Sequence, residues 1–273
     1  MNAKPLPVTG IDTHAHIFHQ GLPFTASRRY SPAYDALVED YLAHLKHSGL
    51  SHGVLIQPSF LGTDNSYMLE AVRRYPDQLR AVVVIDPQID DAQLDELEAS
   101  GAVGVRLNLV GLQLDDFSQS HWQRFFQKLA ERQWSVEIQR GMEDLSVIVP
   151  AILASGVAVV IDHFGLPKGI IDPRNSGHER FLDFLGRENV WIKLSATYRN
   201  SLTLEQAKAS LQVLSSACGG YDKFLWGSDW PHTQFEDQTN YAAQLSIIEA
   251  LLPSAAHKTQ VLVDNPSRLF KFV

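Results

Sequence analysis

Short apolar runs rich in valine and isoleucine recur along the chain, and the stretches between them carry apolar residues at helical spacing. The runs lie at 10–16 (GIDTHAH), 53–59 (GVLIQPS), 80–86 (RAVVVID), 102–108 (AVGVRLN), 134–139 (WSVEIQ), 157–165 (VAVVIDHFG), 190–196 (VWIKLSA) and 224–230 (FLWGSDW). A helix is predicted after each. The first, at 34–49, carries Leu37, Tyr41 and Leu45 at i, i+4 spacing and ends on Gly49. The others fall at 64–76, 90–101, 118–133, 143–156, 179–189, 203–219 and 238–253, mostly opening with Asp, Ser or Thr and closing with Gly, Asn or Pro. Pro150 inside the fifth predicts a kink or a break.

Strand–helix alternation over the whole length implies right-handed crossovers and a parallel sheet, and eight units is the number that closes into a barrel. The expectation is an α/β fold, a (β/α)8 TIM barrel over residues 1–273 as a single domain, with a doubly wound open sheet as the alternative. No glycine-rich phosphate loop follows any run, which weakens a dinucleotide-binding reading. The two longest connections, 18–33 and 164–178, both follow runs containing histidine, and would wall the face where barrel enzymes keep their chemistry.

Composition narrows the partners. At 45% apolar and 20% charged residues the chain is globular, with no apolar run long enough to cross a bilayer. A net charge of −8, with no basic cluster denser than SRRY (27–30), argues against nucleic acid or an anionic membrane as partner. A small molecule is the default ligand, and oligomeric state is not legible. The N-terminus lacks the continuous apolar segment of a secretory signal, so a cytoplasmic location is expected. The lone Cys218 excludes an intrachain disulfide and a cysteine zinc site, and no basic neighbour marks it as reactive.

The C-terminal ends of the runs present His14, His16, Ser59, Asp86, Arg106, Asn108, Gln139, His163, Arg199, Asp229, Trp230 and His232. His14 and His16 share a strand face because side chains alternate with period two. Such a pair can ligate one divalent ion, bind one anionic oxygen, or simply end a strand. Its place in the first run, with Asp12 ahead of it and Asp229 closing the last run, favours chemistry.

With those residues in place the chain resembles the amidohydrolase superfamily, a barrel with HxH ending strand one and an Asp ending strand eight. DTHAHIF, VRLNLVG, IDHFGLP, WIKLSATYR, LWGSDWPHT and DNPSRLF, in order from residue 12 to 270, are similar to the branch of 2-pyrone-4,6-dicarboxylate lactonases and related sugar-acid lactonases. The resemblance implies a lactone hydrolase that works without metal. A binuclear site in the superfamily uses a lysine on strand four, absent from AVGVRLN, and the fifth run offers only Glu137 and Gln139 where a histidine ligand would stand. His14, His16 and Asp229 remain the trio for a single Zn or Mn ion.

In the mechanism this implies, Asp229 takes a proton from the attacking water, and His163, His14 and His16 polarise the carbonyl. Arg106 and Arg199 clamp a substrate carboxylate, assisted by Ser59 and Gln139, while Trp230 and His232 form a pocket wall around Pro231. Each has a structural alternative: Asp229 as a helix cap, His163 as a satisfied core residue, Arg106 paired with Asp86, Arg199 as a solvated loop residue, Ser59 as a turn former after Pro58. Further arginines of the dicarboxylate branch are replaced here by Leu112 and Leu166, which disfavours a dicarboxylate unless Arg28 or Arg29 supplies the charge. The rival readings are a mononuclear metal-dependent decarboxylase or amidohydrolase on the same barrel, and a non-catalytic binding barrel.

Overall fold

The computed structural model describes residues 6–187 and 189–272. Its strands are β1 (Ile11–Ala15), β2 (His52–Ile56), β3 (Leu79–Val83), β4 (Ala102–Asn108), β5 (Ser135–Gln139), β6 (Ala158–Ile161), β7 (Val190–Lys193) and β8 (Phe224–Leu225). They form one parallel sheet in sequential order, β1 to β8. An open doubly wound sheet reverses its order at a switch point, so this sequence of neighbours excludes that alternative and matches the barrel expectation.

Helices α1 (Val38–His47), α2 (Ser66–Arg74), α3 (Asp91–Ala99), α4 (Ser120–Glu131), α5 (Met142–Leu153), α6 (Ser176–Leu185), α7 (Leu204–Cys218) and α8 (Tyr241–Leu251) follow their strands in turn. α3 and α7 open with capping boxes, Asp90 with Gln93 and Thr203 with Gln206. The break expected at Pro150 does not occur: α5 runs through it, the ring costing the helix one N–H donor rather than its continuity. After α8 the chain adds α9 (Ala255–Thr259), a wide turn and α10 (Asn265–Phe270). None of the three was predicted, since each is too short to show a stripe. No helix among the described residues is long and apolar enough to cross a membrane.

The barrel closes without a regular β8–β1 ladder. Thr13 N donates to Trp226 O (2.9 Å), His16 N to Trp230 O (2.7 Å) and Asp229 N to His14 O (2.8 Å). The buried Asp12 carboxylate accepts from Ser228 N (2.8 Å), Ser228 Oγ (2.6 Å) and Tyr241 OH (3.1 Å), so this acid stitches first strand to last. Gly227 permits the approach: a Cβ there would lie 2.4 Å from His14 Cβ. At the N-terminal end, Ile11, Val54, Ile56, Val82, Val103, Val160, Trp191 and Leu225 fill the interior, plugged from below by Phe270 and Phe272.

Candidate active site

A cavity opens at the C-terminal ends of the strands, lined by His16, Arg29, Tyr30, Ser59, Arg106, Asn108, Gln139, Arg199, Asp229 and Thr233, among others. The fold thus gathers His16, Ser59, Arg106, Gln139, Arg199 and Asp229 from six different strand ends. His14 and His163, fully buried, lie behind the lining residues Asp229 and His16, their rings 4.9 Å apart, with His16 5.0 Å from His14. Asp229 and His163 hold left-handed backbone, φ 58° and 52°, a conformation that costs a non-glycine residue about 1 kcal/mol or more. The hydrogen bond from Asp229 N to His14 O and that from Asn200 Nδ2 to His163 O (3.0 Å) hold them there.

Asp229 has two unlike oxygens. Oδ2 accepts from Arg199 Nε and from Tyr198 OH, both at 2.5 Å. Oδ1 is buried without a partner, 3.7 Å from both His14 Nε2 and His16 Nε2. Burial alone would raise this carboxyl, but Arg199 and then His163, His14 and His16 hold it well below the usual carboxylate range. α8 is capped by Asn240 instead, so Asp229 is no helix cap.

The imidazoles differ in what they can offer. Burial pushes His163 down to about 3, and it is neutral, its Nδ1 2.8 Å from Ser195 Oγ and its Nε2 unpartnered. Burial, with His14 and Arg106 nearby, likewise holds His16 well below the imidazole range. Its Nδ1 lies 2.7 Å from Ile56 O, and a carbonyl only accepts, so Nδ1 carries the proton and Nε2 presents a lone pair. In this tautomer His16 offers the cavity an acceptor, whereas polarising a carbonyl would require an N–H at Nε2. His14 Nε2 is unpartnered too. Burial and Lys193 pull His14 down, yet Asp162 and Glu137 outweigh them and the net direction is upward.

Beneath His14 lies a charged cluster that sequence reasoning left without a role. Lys193 is fully buried, donates to Glu137, and stands 3.1 Å from His14 Nδ1 and 3.7 Å from Asp162 Oδ1. Burial would raise Glu137, but Lys193 and His14 bring it down to about 2. A lysine in VWIKLSA and a glutamate in WSVEIQ carry the same signal that singled out Arg106, a charge inside an apolar run. Tyr198, whose ring also meets His232, gave no such signal.

Arg106 is buried, donates to Gln57 O (3.2 Å) and Gln139 Oε1 (2.7 Å), and leaves Nε unpartnered. No described carboxylate lies within ion-pair distance of it; Asp86 turns away to accept from Gln88 N. Arg29 lines the same cavity, donating to Val110 O (2.7 Å) and Asn108 Oδ1 (3.2 Å). Burial and the neighbouring Arg106 lower its affinity for its proton. Arg28 is instead tied to Ser31 and Thr25 on the loop surface.

Ser59 lines the cavity and also begins the turn after Pro58. Trp230 does not form a wall: its ring stacks on Tyr41 (5.7 Å) behind the barrel. His232 sits behind Asp229 with Nδ1 3.3 Å from Tyr198 OH, lowered by burial to about 4. Arg199 is not a solvated loop residue, and its Nε is committed to Asp229. Leu112 is exposed on a lobe adjoining the cavity, and Leu166 holds the loop after β6 in left-handed backbone.

Among the described residues, two groups of side chains place ligand atoms within 4.8 Å of one another, His14 with His16 and Asp229, and His14 with Asp162 and His163. Their hydrogen bonding suits a cation poorly. Lys193 faces the far nitrogen of His14, and Arg199 holds the second oxygen of Asp229.

A parallel barrel with imidazoles, a carboxylate and arginines converging at its mouth is the architecture of a barrel hydrolase. The chain belongs to the amidohydrolase family, whose model matches residues 11–272. It is similar to the 2-pyrone-4,6-dicarboxylate hydrolase of Comamonas testosteroni, 31% identical over 97% of this chain and 91% of that one. The 4-sulfomuconolactone hydrolase of Hydrogenophaga intermedia is 28% identical over 97% and 89%. Among solved structures, one from Pseudomonas putida assigned as a 2-pyrone-4,6-dicarboxylic acid hydrolase is 40% identical, with a TM-score of 0.91 over 98% of this chain and 99% of that one. Another so assigned, from Acinetobacter baumannii with citric acid bound, is 35% identical with a TM-score of 0.92 over 96% and 99%.

Proposed function

We propose that this protein hydrolyses the lactone ring of a small carboxylated substrate, of the pyrone-dicarboxylate or muconolactone kind, without a resident metal. The reading is carried by one observation: Asp229 Oδ1, at a cavity walled by arginines, and the Nε2 atoms of His14 and His163 clustered behind it are buried, polar and unpartnered. Buried polar atoms left unpaired are costly, and a lactone with its attacking water would pair them all.

The water donates one hydrogen to Asp229 Oδ1 and the other to the His16 Nε2 lone pair. As its oxygen bonds to the lactone carbonyl carbon, the proton passes to Asp229. Negative charge gathers on the carbonyl oxygen, where His14 and His163 donate from Nε2. Collapse breaks the ring C–O bond, and the proton on Asp229 goes to the leaving oxygen, regenerating the carboxylate. A carboxylate this strongly held is a weak base, so the enzyme relies on proximity and oxyanion donors more than on proton affinity.

Arg106, a buried cation with no anionic partner, takes a substrate carboxylate together with Ser59. Arg29 supplies a second cation that the leucines at 112 and 166 do not, which supports a substrate bearing two anionic groups. The test is a panel of pyrone, muconolactone and aldonolactone substrates assayed with and without chelator. Turnover of a carboxylated lactone, undiminished by chelator, is the expected result. Turnover abolished on removal of a tightly bound ion would favour the metal-dependent decarboxylase or amidohydrolase reading, and binding without turnover of any lactone would favour a binding barrel.

A further inference from the structure

We propose that Lys193 is a positioning residue: by donating to His14 Nδ1 it keeps the proton of His14 on Nε2, making that nitrogen a donor to the substrate carbonyl and denying it to a divalent cation. The inference rests on the lactonase reading for what His14 Nε2 serves, but its protonation and metal consequences stand on the geometry alone.

A neutral imidazole has one N–H and one lone pair, and only the lone pair can ligate. His14 Nδ1 has three neighbours in the barrel interior. Lys193 Nζ, at 3.1 Å, is in hydrogen-bonding alignment and can only donate. Glu137 Oε1 at 3.2 Å and Asp162 Oδ1 at 3.4 Å are near but misaligned, and both oxygens stay without a hydrogen-bond partner. The two acids raise the proton affinity of the ring as a whole, but neither is aligned with Nδ1, so in the neutral ring an N–H there would meet the ammonium. The lone pair therefore faces Lys193 and the hydrogen sits on Nε2, the atom 3.7 Å from Asp229 Oδ1.

A metal-ligating histidine needs the reverse arrangement, with its far N–H given to a carboxylate or carbonyl. His16 has that arrangement through Ile56 O; His14 does not. Of the trio His14, His16 and Asp229, two ligands remain, fewer than the three typical of a catalytic zinc site. The lysine is fixed in turn by Glu137, so the pair works as a unit: an acid that holds a cation against an imidazole. The result is a site with ligand residues at metal distances and the wrong protonation for a metal.

The experiment uses the whole protein as wild type, Lys193→Met and the double variant Lys193→Met/Glu137→Gln. The double variant removes the ion-paired lysine and glutamate together instead of leaving Glu137 without its cation, so it keeps the test open if the single one fails to fold. Nitrogen-15 NMR of the histidine side chains reads the His14 state directly, and titration with Zn²⁺ alone reads its ligating capacity. Expected in wild type is a proton on His14 Nε2 and no stoichiometric zinc binding. Expected in the variants is loss of that preference, zinc affinity raised about 10–100-fold, and kcat lowered by a similar factor with KM nearly unchanged. A proton on Nδ1 alone in wild type, stoichiometric zinc in wild type, or variants matching wild type in His14 state and zinc affinity would each overturn the proposal. Because the NMR and zinc readings need no substrate, failure of the lactonase reading is distinguishable from failure of this one.

Discussion

At the N-terminal end of the barrel the inward positions are Ile11, Val54, Val103, Val160 and Leu225, sealed by Phe270 and Phe272. Toward the C-terminal ends of the strands the interior holds His14, Arg106, Glu137, Lys193 and Asp229 instead, all buried, five groups that carry charge in one protonation state or another. The lower end leaves nothing polar unsatisfied among the residues of that plug, whereas the upper end leaves His14 Nε2, Arg106 Nε, Glu137 Oε1, both Asp162 oxygens, His163 Nε2 and Asp229 Oδ1 without partners. Stability is stored below and spent above, where unpaired polar atoms and left-handed backbone gather.

That contrast predicts opposite phenotypes. Asp229→Asn should have the largest effect, a loss of about 10²–10⁴ in kcat with ligand binding retained, measured by steady-state kinetics and calorimetric titration of the reaction product. An unchanged kcat would remove Asp229 from the chemistry. Next, Phe270→Ala should cost about 3–5 kcal/mol of stability, seen as a thermal midpoint lower by roughly 10 °C, while the folded fraction keeps its turnover. If that variant lost activity at full stability, the two ends would not be separable.

Glu137 tests the border between them. Its folded value near 2 lies below the ordinary 4.5, so its contribution is complete above 4.5 and lost as pH falls through 2. Glu137→Gln should flatten the fall in stability across that window, forfeiting up to ~3 kcal/mol at neutral pH. Equal slopes in denaturant titrations of wild type and variant would assign the acid sensitivity elsewhere. The smallest pair concerns the cavity wall: Arg106→Met should lower kcat/KM on a carboxylated lactone about 10²-fold, mainly through KM, and Arg29→Met about 10-fold. Sensitivity to Arg29 confined to substrates with two anionic groups would sharpen the substrate reading; equal losses on singly charged lactones would break it.

The sequence by itself determined eight strand–helix units and a parallel sheet, because eight apolar runs alternate with helical stripes, and the sequential strand order then closed them into a barrel rather than a doubly wound sheet. It also pointed to the strand ends as the candidate site, although Asp86 and Trp230, named there, turn elsewhere. The tertiary structure decided what each group does. Whether an imidazole donates or accepts depends on which atom of a distant strand faces its other nitrogen: Ile56 O for His16, Lys193 for His14. Whether Arg199 meets a substrate or Asp229, whether Trp230 faces the cavity or Tyr41, and whether Arg29 reaches inward depend on loop paths that no local pattern encodes. Hydrophobic periodicity is a property of neighbours in the chain; protonation and pairing are properties of neighbours in space.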